Sequence, residues 1–228
     1  MFIFSIVPSV SLPYFGCIAS SFRNIKSICV PVCLLDIRSF TTMVRQYTQE
    51  HTFMHPWERV TSACWRKFAD PKNRSRLSHI LEVHTIDRKL DALNGRLLTT
   101  RAITVNALGP WWLQKIVGET VCHCIEECIV DARNKSMEIV TRNATLKDFI
   151  SVEEKSWYSP HPQNSQWTAL RQETSISCNA FSALASMAEK IEQRCAEKFQ
   201  QNSAKGREVV ENVCAYLEAE ANGIGVRV

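Results

Sequence analysis

From Phe181 to about Glu220 the chain keeps a helical period uninterrupted by proline, and the segments that precede it have a period of two. A helix of that length with an apolar stripe must cover a surface, and what the preceding segments offer is an antiparallel sheet. Leu184, Ala188, Ile191 and Cys195, then Val209, Val213 and Tyr216 or Leu217, trace the stripe. Between them the same face is occupied by Lys198, Asn202 and Lys205 or Gly206. Lys198 and Lys205 are about 10 Å apart along one side of a helix, so their ammonium groups and the Asn202 amide can converge on one anion. A buried ammonium needs an acid, water or a bound anionic group; otherwise both lysines reach solvent at the edge of the stripe, with Gly206 marking a kink.

The earlier elements can be read in order. Val44 to Phe53 alternates enough to be a strand, and in the stretch HPWERVTSACWRKFADP the residues Trp57, Val60, Cys64, Trp65 and Phe68 fall at helical spacing, with Pro56 suited to the first turn. Two extended runs then flank Asn94-Gly95, a hairpin signal. Four more alternating runs follow: TVCHCIEECIVD, SMEIVTRNAT, FISVEEKSWY and WTALRQETSIS, joined by turn-rich pieces such as DARNK and SPHPQNSQ. The expected fold is α+β: a strand, a helix, a run of about six antiparallel strands and a long C-terminal helix. One helix across a curved sheet encloses either a solid or a hollow core.

Composition narrows the class further. With 228 residues, 45% hydrophobic and 22% charged, the chain has the make-up of an ordinary soluble globular protein with one main domain. Its formal charge of +4 is spread along the sequence, which gives nucleic-acid binding little support. None of the ten cysteines forms a Cys-x-x-Cys pair, and most are expected to be reduced and buried. Residues 1–42 are apolar and serine-rich, with Asp36 as the sole acid and Pro8 and Pro13 breaking the apolar run. They read as a targeting segment or a non-native extension, residues 43–220 as the main domain and 221–228 as a short tail.

Other residues could carry chemistry. Lys67 ends the first helix, as a ligand for an anion or as a solvated lysine favouring the helix C-terminus. Arg101 sits in the apolar strand TTRAITV, where periodicity leaves open whether it points into a cavity or outward. In GPWWLQKIVG, Trp111, Trp112, Leu113 and Ile116 form either a mobile, membrane-touching lid or a short helix that buries its tryptophans. CHCIEEC is a poor metal site, because on a strand Cys122 and Cys124 face one way and His123 the other. Glu153 and Glu154 likewise point to opposite faces. No nucleophilic triad, phosphate loop or paired-carboxylate motif stands out, and the chain is expected not to be an enzyme and to need no metal or cofactor.

Taken together, HPWERVTSACWRKFADP, NGRLLTTRAI, GPWWLQKIVG, SPHPQN and NSAKGREVVENV resemble, in order and spacing, the PRELI-like (Ups/PRELI, slowmo) lipid-transfer proteins of the mitochondrial intermembrane space. The resemblance runs from about Met43 to Glu220. It implies a curved sheet of six to seven strands gripped by helices around an apolar lipid tunnel. It implies a carrier of one anionic phospholipid, phosphatidic acid or phosphatidylserine, between the mitochondrial outer and inner membranes. Headgroup contacts are implied for Lys67, Lys198, Asn202 and Lys205, and Arg101 and His79 are counted with them. Trp111, Trp112, Leu113 and Ile116 fall at the lid position. Val105 stands near where relatives have a further lysine, so the site is less basic than in some of them. A small helical-hairpin partner with twin Cys-x9-Cys motifs and an anionic membrane surface are the implied partners. Two other readings are a small-ligand-binding or enzymatic helix-grip protein, which would need a convergent acid/base pair in the cavity, and an RNA-binding module with exposed aromatics.

Overall fold

The alternating segments pair into one seven-stranded sheet in the computed structural model, which describes residues 44–106, 120–147, 150–178 and 185–223, without the side chains of 44, 178 and 185–191. All of these belong to the second of the two units into which the chain divides, Met1–Phe40 and Thr41–Val228. The strands are β1 (Val44–Phe53), β2 (Ile80–Asp91), β3 (Arg96–Asn106), β4 (Val121–Asp131), β5 (Ser136–Asn143), β6 (Ile150–His161) and β7 (Asn164–Cys178). Helix α1 (Trp57–Arg66) follows β1, and helix α2 (Ala185–Ala221) follows β7. Every pairing is antiparallel, in the order β1-β7-β6-β5-β4-β3-β2, so the first strand crosses over to lie beside the last. The expected α+β architecture, with its curved sheet and long C-terminal helix, is the one observed.

Local chemistry explains where the elements begin and turn. Pro56 stands just ahead of α1 in extended conformation, and the N–H groups of Arg59 and Val60 both donate to its carbonyl, at 3.0 and 3.1 Å. The helix therefore uses the proline's acceptor, and its missing donor costs nothing there. The β2–β3 and β4–β5 hairpins use one design, DALNG and DARNK. In each, the opening aspartate accepts hydrogen bonds from the backbone N–H and side-chain amide of the asparagine three residues on. The fifth residue then takes a left-handed backbone, Gly95 at φ 67° and Lys135 at φ 48°. The β6–β7 junction is tighter than SPHPQNSQ suggests. Both strands run into that stretch and His161 pairs with Asn164, leaving Pro162 and Gln163 as the turn. The register slips between Pro160 and His161, which lets a residue without a donor sit in the ladder.

Alternation sends one set of side chains to the concave face, beneath α2. The larger apolar cluster joins Trp57, Val60 and Cys64 of α1 to Val209, Val213 and Cys214 of α2, over Phe53, Met137, Tyr158 and Leu170 of the sheet. A smaller one joins Val152 and Ile176 to Cys195 and Phe199 beneath the earlier part of α2. Surface ion pairs Arg59–Glu218, Arg66–Glu220 and Arg76–Glu208, each at 3.0 Å, run from the α1 region to α2. The Glu211 carboxylate meets His51 Nε2 at 3.3 Å and His55 Nε2 at 3.2 Å, fastening α2 to the end of β1.

Candidate ligand-binding cavity

Both apolar clusters contribute wall to a cavity of about 260 Å³ between the sheet and α2, so the core is hollow. Its apolar lining includes Ile103 and Val105 of β3, Ile139 of β5, Ile150 and Val152 of β6, and Phe199 and Val210 of α2. Ile80, at the start of β2, and Phe68, after α1, add to the wall. Period two on the strands and a stripe on α2 through Cys195, Phe199, Asn202, Gly206 and Val210 suffice to put these residues inside.

The predicted cationic residues separate into an inner and an outer group. Lys67 lines the cavity, its ammonium 4.7 Å from the centre of the Phe68 ring. His79 and Asn202 line it as well. Lys198 is half-buried and Lys205 exposed, and neither is part of the lining. Seven residues apart on α2, they share the side just off the inward stripe, so they flank the cavity instead of entering it. They are nonetheless close to His79: burial first, then the charges of Lys205 and Lys198, push its imidazole below the ordinary histidine value. The sequence pattern put Lys198, Asn202 and Lys205 or Gly206 on one face, the lysines meeting either an anion or solvent at its edge; in the observed helix Asn202 and Gly206 line the cavity and the two lysines flank it.

Arg101 is occupied elsewhere. It is buried, its Nε donates to Glu126 Oε1 at 2.7 Å, and its guanidinium centre lies 5.2 Å from the ring centres of both Trp65 and Phe68. It is absent from the cavity lining, while Glu126, directly opposite it on β4, is present there. Trp111, Trp112, Leu113 and Ile116 lie outside the described residues.

Several polar lining residues were given no role from the sequence. Glu154 of β6 lines the cavity, where desolvation pushes its carboxyl up from the usual glutamate value against the pull of Lys67 and a hydrogen bond from Gln172. Gln172 Nε2 donates to Ser156 Oγ at 3.3 Å, and Ser203 Oγ of α2 donates to Gln172 Oε1. Arg207 also lines the cavity and donates from Nη1 to Gln49 Oε1 at 2.9 Å. The signals were present in the sequence: alternation through Val152, Glu154, Ser156 and Tyr158, and the spacing Phe199, Ser203, Arg207. Only the strand register reveals that they meet. Cys122 and Cys124 both line the cavity, whereas His123 faces away and contacts Thr104 Oγ1 through Nδ1 at 3.2 Å. Among the described residues no group of three or more His, Cys, Asp or Glu is arranged to hold a metal ion.

A cavity of this kind can take an apolar guest along its walls and an anionic group at the rim of Lys198, Lys205, His79 and Asn202. Comparison with known proteins identifies the family. Residues 58–220 match the PRELI-like family. The chain is 31% identical over 174 residues to the slowmo homolog of Dictyostelium discoideum, covering 76% of this chain and 73% of that protein. It is also 31% identical over 166 residues to the protein named UPS2, mitochondrial, of Saccharomyces cerevisiae, covering 72% of this chain and 70% of that one. Among solved structures, the Zhui aromatase/cyclase of a Streptomyces species superposes with a TM-score of 0.50 at 12% identity. That match covers 76% of this chain and 94% of the other, a likeness of fold alone.

Proposed function

The chain belongs to the PRELI-like family, and on that premise we propose that it carries one anionic phospholipid, phosphatidic acid or phosphatidylserine, between the outer and inner mitochondrial membranes. The observation that carries this reading is the junction of an apolar cavity with a cationic rim, where Lys198 and Lys205 lie close enough to His79 to depress its titration. Acyl chains lie along the walls, and the phosphate meets the rim lysines with the Asn202 amide beside them. Lys67, deeper in, is partly balanced by Glu154 and so is less available to a phosphate than the rim pair.

No bond is made or broken in this reading. Moving acyl chains from a bilayer to a cavity of similar polarity is nearly neutral, whereas water would cost about 0.8 kcal/mol for each CH₂ exposed. The protein thus acts by lowering a desorption barrier, and its basic rim favours anionic headgroups and anionic membrane surfaces. The mitochondrial designation of UPS2 supports that compartment. The intermembrane space and a small helical-hairpin partner with twin Cys-x9-Cys motifs are proposed on the same family grounds.

The test is transfer between liposomes, with the hairpin partner supplied, comparing phosphatidic acid, phosphatidylserine and phosphatidylcholine. Selective transfer of one anionic lipid is expected. Lys198→Glu and Lys205→Glu should each lower that transfer by about tenfold or more at an unchanged thermal midpoint, since each reverses one charged contact to the phosphate. No transfer of any lipid by the folded, partner-bound protein would overturn the proposal. Transfer undiminished in both variants would remove the headgroup assignment.

A further inference from the structure

The segment between α1 and β2, Lys67 to His79, has an inner side that the cavity uses and an outer side that it does not. KFADPKNRSRLSH carries Lys67, Lys72, Arg74 and Arg76 against one acid, Asp70. Asp70 is already engaged: its Oδ1 accepts the Lys72 backbone N–H at 2.8 Å and starts a short 3₁₀ turn, Pro71–Asn73. Inward residues then recur and pin the segment. Asn73 Nδ2 donates to the Lys67 carbonyl at 3.2 Å, the Leu77 N–H to the Asn73 carbonyl at 2.9 Å, and the Ile80 N–H to the Leu77 carbonyl at 2.8 Å. The His79 carbonyl accepts the Asn106 N–H at 2.9 Å, which ties the end of the segment to β3. Leu77, His79 and Ile80 line the cavity. With these directions fixed, Lys72, Arg74, Ser75, Arg76 and Ser78 are left outside, and all five are exposed.

Positive charge on that outer side is largely uncancelled. Arg76 Nε meets Glu208 of α2 at 3.0 Å, and among the described residues Lys72 and Arg74 reach no carboxylate. Basic residues of α1 and of the outer sheet surface are matched instead: Arg59 with Glu218, Arg66 with Glu220, Arg142 with Glu127 and Glu153, Arg171 with Glu173. Glu208 stands one turn beyond Lys205, so the Arg76 contact sets the segment beside the α2 lysines at the cavity rim. Lys72, Arg74 and Arg76 thus extend the cationic surface begun by Lys198 and Lys205, with Asp70 and Glu208 as the acids among them. Leu81, the extra residue where the β2 register slips after Ile80, adds an exposed apolar side chain at its border.

We propose that Pro71–Ser78 is a docking surface for an anionic bilayer, seating the cavity rim against the headgroups. An anionic leaflet attracts basic side chains held within a Debye length, each worth about fivefold in binding. An apolar side chain such as Leu81 suits the boundary between headgroups and acyl chains. Because the cavity wall and the docking face are two sides of one pinned segment, a bilayer held by Lys72 and Arg74 meets the rim directly. The inference rests on the carrier reading and adds a division of labour to it: the rim lysines and Asn202 meet the transported phosphate, and the loop cations meet the membrane that supplies it. Nucleic acid fits this surface less well, since the exposed residues of the segment offer no aromatic ring to a base.

The experiment is flotation of the full chain with vesicles of phosphatidylcholine, alone or with added phosphatidylglycerol, at low and high salt. Binding to the anionic vesicles, weakened by salt, is expected. Lys72→Gln with Arg74→Gln should lower it about twentyfold at an unchanged thermal midpoint, as neither side chain has a hydrogen bond or ion pair among the described residues. Lys89→Gln with Arg133→Gln removes the same charge from the far end of β2 and the β4–β5 turn, and should lower it by no more than about twofold. Equal losses in the two double variants would reduce the effect to net charge and overturn the proposal, as would equal binding to phosphatidylcholine alone. A chain that ignores both kinds of vesicle yet retains polyuridylate or polyglutamate through Lys72 and Arg74 also overturns it. The outcome is separable from the transfer test. A chain that docks through Lys72 and Arg74 but moves no phospholipid keeps this surface and loses the carrier reading. A chain that moves phospholipid, and docks as well without Lys72 and Arg74 as with them, does the reverse.

Discussion

Arg101 and Glu126 face each other directly across β3 and β4, both about one-twentieth exposed, with two aromatic rings against the guanidinium. A buried pair of this kind gives little net stability over an apolar pair of the same volume, yet removing one partner strands the other charge. Glu126→Gln should therefore cost about 3–5 kcal/mol in urea unfolding, while Arg101→Met combined with Glu126→Leu should recover most of that loss. A double variant as unstable as Glu126→Gln would mean that the pair supports the fold in a way charge burial does not explain. The same geometry removes Arg101 from the set of groups free to meet a phosphate. Its residue type suggested an anion ligand, and its strand partner decided otherwise.

Among the elements, the two aspartate-to-asparagine hairpins are the places where local sequence dictates the backbone most directly. Gly95 holds φ 67°, and a Cβ added there would stand 3.1 Å from the flexible Arg133 side chain, so the obstacle is backbone conformation and not space. Gly95→Ala should lower stability by about 1 kcal/mol, read as a shift of the urea midpoint at unchanged slope. An unchanged midpoint would mean that the turn relaxes out of the left-handed region. Lys135 meets the same demand at φ 48° without glycine's freedom, helped by the two hydrogen bonds from Asn134 to Asp131 and by its own ion pair with Glu58 at 2.7 Å. On α2 the decisive property is phase. A stripe read by residue class took in Lys198, Asn202 and Lys205 or Gly206; of these Asn202 and Gly206 line the cavity, with Phe199, Ser203 and Arg207 beside them.

For the molecule as a whole, the hollow interior carries an electrostatic cost that solid cores avoid. Glu154 lines the cavity half-buried, with its carboxyl raised above the ordinary value, chiefly by desolvation and only partly relieved by Lys67. A folded-state value above the unfolded one means that the native protein holds this proton more tightly. Its contribution to stability is therefore fully present below the unfolded glutamate value and is lost as pH rises through the folded one. Glu154→Gln should match the wild type in mildly acidic urea titrations and exceed it as pH rises toward neutrality. A difference that stays constant with pH would remove Glu154 as the titrating group. The cavity thus trades stability for a polar floor beneath an apolar space, as binding sites often do.

Much of this architecture was legible beforehand. Alternation in the segments from Val44 to Cys178, the helical stripe after them and the turn chemistry of DALNG and DARNK each have a purely local cause, so they are readable from the chain itself. The parity of Glu153 and Glu154, and of Cys122, His123 and Cys124, was likewise readable, because a strand's period admits no third choice. What the chain alone left open were relations between elements: whether Arg101 met a cavity or a carboxylate, which line of α2 faced the sheet, and that Glu154, Gln172, Ser203 and Arg207 converge. The strand register and the packing of α2 on the sheet decide these, since they join Arg101 to Glu126, 25 positions on, and Gln172 to Ser156 and Ser203, 16 and 31 positions away. Periodicity tells a side chain which way to point; only tertiary pairing determines what it finds there.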